Sequence, residues 1–179
     1  MINEIIHSIN QGVKERALIV YPDSSFQSFG LSFPIITYSD DEAENGMVYT
    51  AVIDDSGECH HVFSDDDYAA GWYHRITSKT YGKTKGFGLS DLDVEIVDIV
   101  LVCWGFRNQL KILPYDFEAK IIIPALPKEA AILQSDFDQF KVFQQEFKKI
   151  NYNIIPEEFL FATKYRVQYT FDRMCVEIH

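Results

Sequence analysis

Side chains able to do chemistry concentrate between residues 59 and 74. Cys59, His60 and His61 are adjacent, Asp65, Asp66 and Asp67 follow, and His74 closes the run. These are the residue types that hold zinc and other transition metals, so the cluster raises the question of a metal centre. The spacing argues against one. Neighbours on a strand face opposite sides, so His60 and His61 cannot ligate one ion without a bulge, and the C-x₂₋₄-C and H-x₃₋₅-H pairs of structural zinc sites are missing. Asp65 to Asp67 lacks the glycine and the terminal glutamate of a calcium loop. Gly82-Lys83-Thr84 matches the end of a phosphate-binding loop, yet Thr77 stands where the first glycine is required. Glu118-Ala119-Lys120 matches the Glu-x-Lys half of a nuclease site, and its aspartate would have to come from distant Asp23. No nucleophile elbow and no supported Cys-His arrangement is present. The reading assigns no catalytic residue, no metal ligand and no cofactor.

Charge is distributed more tellingly than chemistry. The net charge of −11 hides a segment from Asp40 to Asp67 with ten acids and no Lys or Arg, including Asp54, Asp55, Asp65, Asp66 and Asp67. Tyr68 to Ser90 then carries no acid and four bases, Arg75, Lys79, Lys83 and Lys85. Two solvated, oppositely charged segments keep a protein soluble, and they can also attract neighbouring copies head to tail. These nine residues are the candidate interface. A cluster of four bases beside so acidic a segment is a poor footprint for nucleic acid.

The elements that must position these residues are legible from periodicity. Val94 to Trp104 (VEIVDIVLVCW) is the longest nearly unbroken apolar run, rich in β-branched residues, and reads as a central strand covered on both faces, with Asp98 in its interior. Ile2, Ile5, Ile6, Ile9 and Val13 recur at helical spacing and predict an amphipathic helix of about three turns, after which Ala17 to Tyr21 reads as a strand. Leu31 to Tyr38 reads as an edge strand interrupted at Pro34. Met47–Ile53 and Glu58–Phe63 flank Asp54-Asp55-Ser56-Gly57 and form a hairpin. Ser64 caps a short helical turn. Trp72 to Thr77 is a strand, and Ser78 to Leu92, rich in Gly and Lys, reads as a long mobile basic loop. Leu110 to Leu113 pairs briefly, and Asp116 to Ile123 fits either helix or strand. Phe137, Phe140, Phe143, Phe147 and Ile150 share one side of a helix capped by Ser135 or Asp136. Phe161 to Phe171 alternates with a period of two, and the apolar set shifts phase after Asp172-Arg173, which predicts a bulge or turn there.

The 179 residues suffice for one domain with its own core, without staples. The three cysteines form no paired framework, which fits a reducing cytoplasm. Ile2 to Val13 is too polar for a signal core, and no run reaches bilayer-spanning length. The expected fold is α+β, a single domain over residues 1–179 with a mainly antiparallel sheet and the N-terminal and C-terminal-half helices packed to one side of it.

The patterns of Ile2 to Val13, Val94 to Trp104 and Phe161 to Phe171, in that order, resemble the small tail-completion proteins of tailed bacteriophages and prophages, tail terminators and head–tail joining proteins. The resemblance extends over the whole chain. It implies a non-enzymatic virion assembly protein whose α+β subunits form a ring at the tail or head–tail junction, found in the host cytoplasm and in the virion, with other virion proteins as partners. It assigns no individual residue. The second class open to an acidic cytosolic α+β protein is an immunity or antitoxin-type protein that offers Asp40 to Asp67 to a basic toxin.

Overall fold

The structure is a computed structural model that describes residues 2–38, 48–53, 58–61, 68–85, 91–106, 109–146 and 159–171. The apolar run becomes the strand Asp91–Gly105 (β6), the middle strand of a five-stranded sheet. Its neighbours are Ala70–Lys85 (β5) and Phe159–Phe171 (β8), both antiparallel to it. Phe26–Leu31 (β1) closes one edge as the parallel partner of β5, and Ala131–Asp136 (β7) closes the other, antiparallel to β8. The strand alternation sends Val97, Ile99, Leu101 and Cys103 into one apolar cluster and Val100, Val102 and Trp104 into another. The central strand is therefore buried on both faces, as its unbroken apolar composition requires.

The helix Ile2–Val20 (α1) covers the first face through Ile6, Ile9, Val13 and Ala17. Ile6, Ile9 and Val13 each contribute roughly 1.5–3 kcal/mol on burial, and the Ala17 methyl less than about 1 kcal/mol. The same face takes Phe117, Ile121 and Ile122 from a compound helix made of Pro114–Phe117 (α2), a π-helical turn Glu118–Ile122 and Ile123–Ala125 (α3). Pro124 accounts for the widened turn. It has no N–H to offer the Lys120 carbonyl four residues back, and just before it the Ile123 N–H reaches five residues back to the Glu118 carbonyl. The helix Gln139–Glu146 (α4) lies on the second face, where Val142 and Phe143 pack against Tyr73, Val102 and Trp104.

A smaller antiparallel sheet, Phe33–Tyr38 (β2), Val48–Ile53 (β3) and Cys59–His61 (β4), sits in the connection between β1 and β5. The expected hairpin is its β3–β4 pair, with Ile53 opposite Cys59. Pro34 lies within β2, an edge strand. Ser64 and the phase shift after Asp172 fall outside the described residues.

The α+β fold with a mainly antiparallel sheet agrees with the expectation, and several local readings do not. The helices flank both faces rather than one. Ala17 to Val20 continues α1 instead of starting a strand, because Ala17 extends the buried stripe of Val13 by one turn while Leu18, Ile19 and Val20 face solvent. Leu110 to Leu113 forms no strand; Leu110 is a buried plug ahead of α2. Residues 131–136 form a strand that exposure on both faces left without an apolar period. The cap of α4 is Asp138, whose Oδ1 accepts the Lys141 N–H at 3.1 Å. On α4 itself Val142 and Phe143 are inside and Phe140 is outside, so the expected phenylalanine face is turned.

The largest difference is the basic loop. Residues 78–85 continue β5 and pair with β6 as far as Lys85 opposite Asp91, so most of the expected loop is a β-arm. Thr77 to Lys83 are exposed on both faces, which erased the two-residue apolar period that marks a half-buried strand. With 15 residues, β6 is about 50 Å long at 3.4 Å per residue. The 19 residues of α1 span only about 28 Å, so the sheet outruns the helix that covers it.

Candidate functional site

The basic residues of the candidate interface stand on the arm and its base, and acids already answer two of them. At the base, on the α4 face, Arg75 makes a two-pronged pair with Glu146, Nε to Oε2 at 2.9 Å and Nη2 to Oε1 at 2.7 Å. Glu146 is buried and also accepts from the Tyr73 hydroxyl at 3.4 Å. Burial, followed by the adjacent Glu146, raises the Tyr73 pKa well above its ordinary value. Further out, Lys79 meets Glu95 at 3.2 Å, and the Tyr169 hydroxyl donates to the same carboxylate at 2.5 Å. Lys83 and Lys85 sit opposite Asp93 and Asp91 in the β5–β6 register. Asp54, Asp55, Asp65, Asp66 and Asp67 lie outside the described residues.

Asp98 has its explanation on the α4 face. It is 7 % exposed and takes the Arg166 guanidinium side-on, Nε to Oδ1 at 2.7 Å and Nη2 to Oδ2 at 3.2 Å, with Lys164 at 3.9 Å. The Arg166 hydrogen bonds hold its carboxyl below the usual range. A carboxylate in the middle of an apolar strand is thus lidded by cations from the neighbouring strand.

Beyond the arm, β7 presents an apolar sheet edge. Ile132 and Leu133 are each 42 % exposed, and Phe137 and Phe140 follow at 38 % and 61 %. Leu133 falls at a register irregularity between Ile132 and Gln134.

The α1 face holds a buried polar chain that ends at a cleft. His74 is fully buried, its Nδ1 3.0 Å from the Tyr165 hydroxyl and its Nε2 2.8 Å from Asn10 Oδ1. Trp72 Nε1 also donates to Asn10 Oδ1, at 3.0 Å. An indole N–H can only donate, which fixes the oxygen of Asn10 toward Trp72 and His74. His74 Nε2 must then carry the proton, and Nδ1 accepts from Tyr165. Burial lowers the His74 pKa to about 3, in keeping with a neutral ring. Asn10 also lines a cleft of about 330 Å³ between α1 and β1, with Asn3, His7, Lys14, Ser28 and Gly30 among its walls. Sequence reasoning passed over Asn10. Its signal was position, since it lies four residues after Ile6 and three before Val13, a polar side chain beside the buried stripe.

Several members of the motif fragments are engaged within the fold. His74 is committed to Tyr165 and Asn10, and Cys59, His60 and His61 belong to β4 of the other sheet. Among the described residues no group of three His, Cys, Asp or Glu side chains could hold a metal ion. Gly82-Lys83-Thr84 lies in an extended strand rather than in a loop before a helix. Glu118 is buried and accepts from Thr163 at 2.5 Å and from Ser135, while Lys120 pairs with Asp116 at 3.4 Å, so both members of Glu-x-Lys are engaged locally. No helix among the described residues is long and apolar enough to cross a membrane. Searches of protein-family models, of curated proteins and of solved structures return no match to this chain.

Proposed function

We propose that the chain is a non-enzymatic assembly subunit that forms a ring at the tail or head–tail junction of a phage or prophage particle. The observation that carries this reading is the apolar edge at β7, where Ile132, Leu133, Phe137 and Phe140 stand in solvent at the rim of the main sheet. Sheet edges in monomeric proteins are blunted by charge or cover, and exposed apolar edges favour association. The two edges are unlike, a parallel β1 and an antiparallel β7. A β7 edge seated on a different surface of the next copy makes a heterologous contact, which closes into a ring when the rotation per subunit allows. The charged arm supplies orientation, and the opposite charge of residues 40–67 and 68–90 makes the contact sensitive to salt.

Sedimentation equilibrium and native mass measurement test this at low and high salt. The expected result is one closed oligomer of fixed copy number that dissociates as salt rises, and a Leu133→Lys, Phe140→Lys double variant that stays folded and monomeric. A wild-type protein that remains monomeric at high concentration and low salt overturns the reading. Recovery of the chain from purified particles at a ring's stoichiometry tests the virion assignment separately.

A further inference from the structure

The cleft between α1 and β1 has the chemistry of a receptor, independently of the assembly reading. Its walls carry Lys14 and His7 from α1, the Ser28 hydroxyl from β1 and the Asn10 carboxamide, and among the described residues no Asp or Glu lines it. That is a marked local exception in a chain of net charge −11. Lys14 forms no ion pair with any described residue. Gln11, also in the wall, spends its amide donor on Glu15 at 2.8 Å. At Gly30, where φ is +62°, a Cβ would meet nothing within 4 Å, so the backbone bends around open space there.

Asn10 gives the cleft its direction. Its oxygen is taken twice, by Trp72 and by His74, and the latter is backed by Tyr165. The amide nitrogen therefore points away from that chain, and it makes no hydrogen bond to a described residue. A fully buried histidine, an indole and a tyrosine hydroxyl behind them thus hold one half-buried carboxamide whose N–H groups bond to no described residue. The Asn10 oxygen satisfies the buried Trp72 and His74 donors, and the same geometry fixes its amide N–H groups toward the cleft as a preorganised donor beside a lysine, which is what recognition of an oxyanion needs.

We propose that this cleft binds a small organic oxyanion, a carboxylate or phosphate group received by the Asn10 amide N–H, Lys14 Nζ and the Ser28 hydroxyl, with Ile6 and Leu31 against its carbon skeleton. The volume of about 330 Å³ sits at the small end of small-molecule sites. The ligand is a metabolite-sized solute and not a polymer.

The test is titration of the full chain with succinate, inorganic phosphate and sodium chloride at matched ionic strength, followed by the ¹H–¹⁵N resonances of the Asn10 carboxamide and the Trp72 indole. Saturable shifts of both resonances with succinate or phosphate, absent with chloride, are expected, and the probe that binds tighter identifies the group. Lys14→Ala, a change at an exposed residue, should weaken binding about tenfold or more, Lys14→Arg should restore most of it, and Asn10→Asp should abolish it. No saturable shift up to about 10 mM of either probe overturns the proposal. Equal binding by wild type and Lys14→Ala does so too, since it leaves an adventitious ion only.

Discussion

His74 shows how one residue carries both a structural role and a measurable signature. Burial depresses its pKa from 6.5 to about 3, so the folded state disfavours the proton that the unfolded chain accepts. The stability this confers is complete above pH 6.5 and is lost as pH falls toward about 3, at a rate of up to about 1.4 kcal/mol per pH unit. Urea unfolding at a series of pH values should show that slope starting near neutrality, and His74→Gln should flatten it. Asp98 acts lower on the scale. Its depressed pKa contributes stability that begins to be lost as pH falls below the ordinary carboxylate value of about 3.9 and is gone once the folded-state carboxyl is itself protonated, so it adds to the acid loss below about pH 4. The Arg75–Glu146 pair makes a third residue-scale prediction. Arg75→Ala strands a buried carboxylate and should destabilise the fold by about 2–3 kcal/mol, less than a fully buried pair because the Arg75 side chain is 28 % exposed. Adding Glu146→Gln should recover part of that loss in a double-mutant cycle.

Elements tolerate less than residues do where backbones and rings meet. Gly105 ends β6 against Phe159, and a Cβ there would come within 2.2 Å of the tip of the fully buried Phe159 ring. At Gly71 a Cβ would come within 2.6 Å of Trp104. Gly105→Ala should therefore cost about 2 kcal/mol or more by overpacking, read as a drop in Tm with an unchanged far-UV spectrum, while Gly82→Ala on the open arm should be close to neutral. The same contrast explains what the sequence could say. β6, β8 and the first turns of α1 were legible because burial on one or both faces imposes a period on the residues. The outer half of β5 and all of β7 were not, because strands wet on both faces impose none, and Gly82, Lys83 and Lys85 resemble loop composition. Ala17 to Val20 misled for the opposite reason, since four β-prone or small residues at the end of a helix read as a strand unless the stripe is followed one turn further. Of the candidate site, the bases were named but Lys79, Lys83 and Lys85 were read on a loop where the structure has a strand, and their acid partners were not named. Glu146 and Glu95 meet Arg75 and Lys79 only through tertiary packing, and Asn10 meets His74 across 64 residues of chain.

At the scale of the molecule, the fold separates a well-filled body from an extended arm. If assembly runs through β7 and the arm, raising salt should dissociate the oligomer while leaving the unfolding midpoint of the monomer nearly unchanged, a distinction that calorimetry at two ionic strengths can draw. The middle position of β6 also bears on the order in which the chain is made. Its β5 partner arrives through a hairpin that closes next to Lys85 and Asp91, whereas the residues of β8 that pair with it are roughly 50 to 80 positions further on. The hairpin can zip up early in synthesis, and for the interval before β8 emerges, the other flank of Val97 to Val102 is an unoccupied, strongly apolar template. The nascent chain is at its stickiest then. Slower translation or a truncation before Phe159 should divert product into aggregates, and yield in soluble form should follow the speed with which the last strand is delivered.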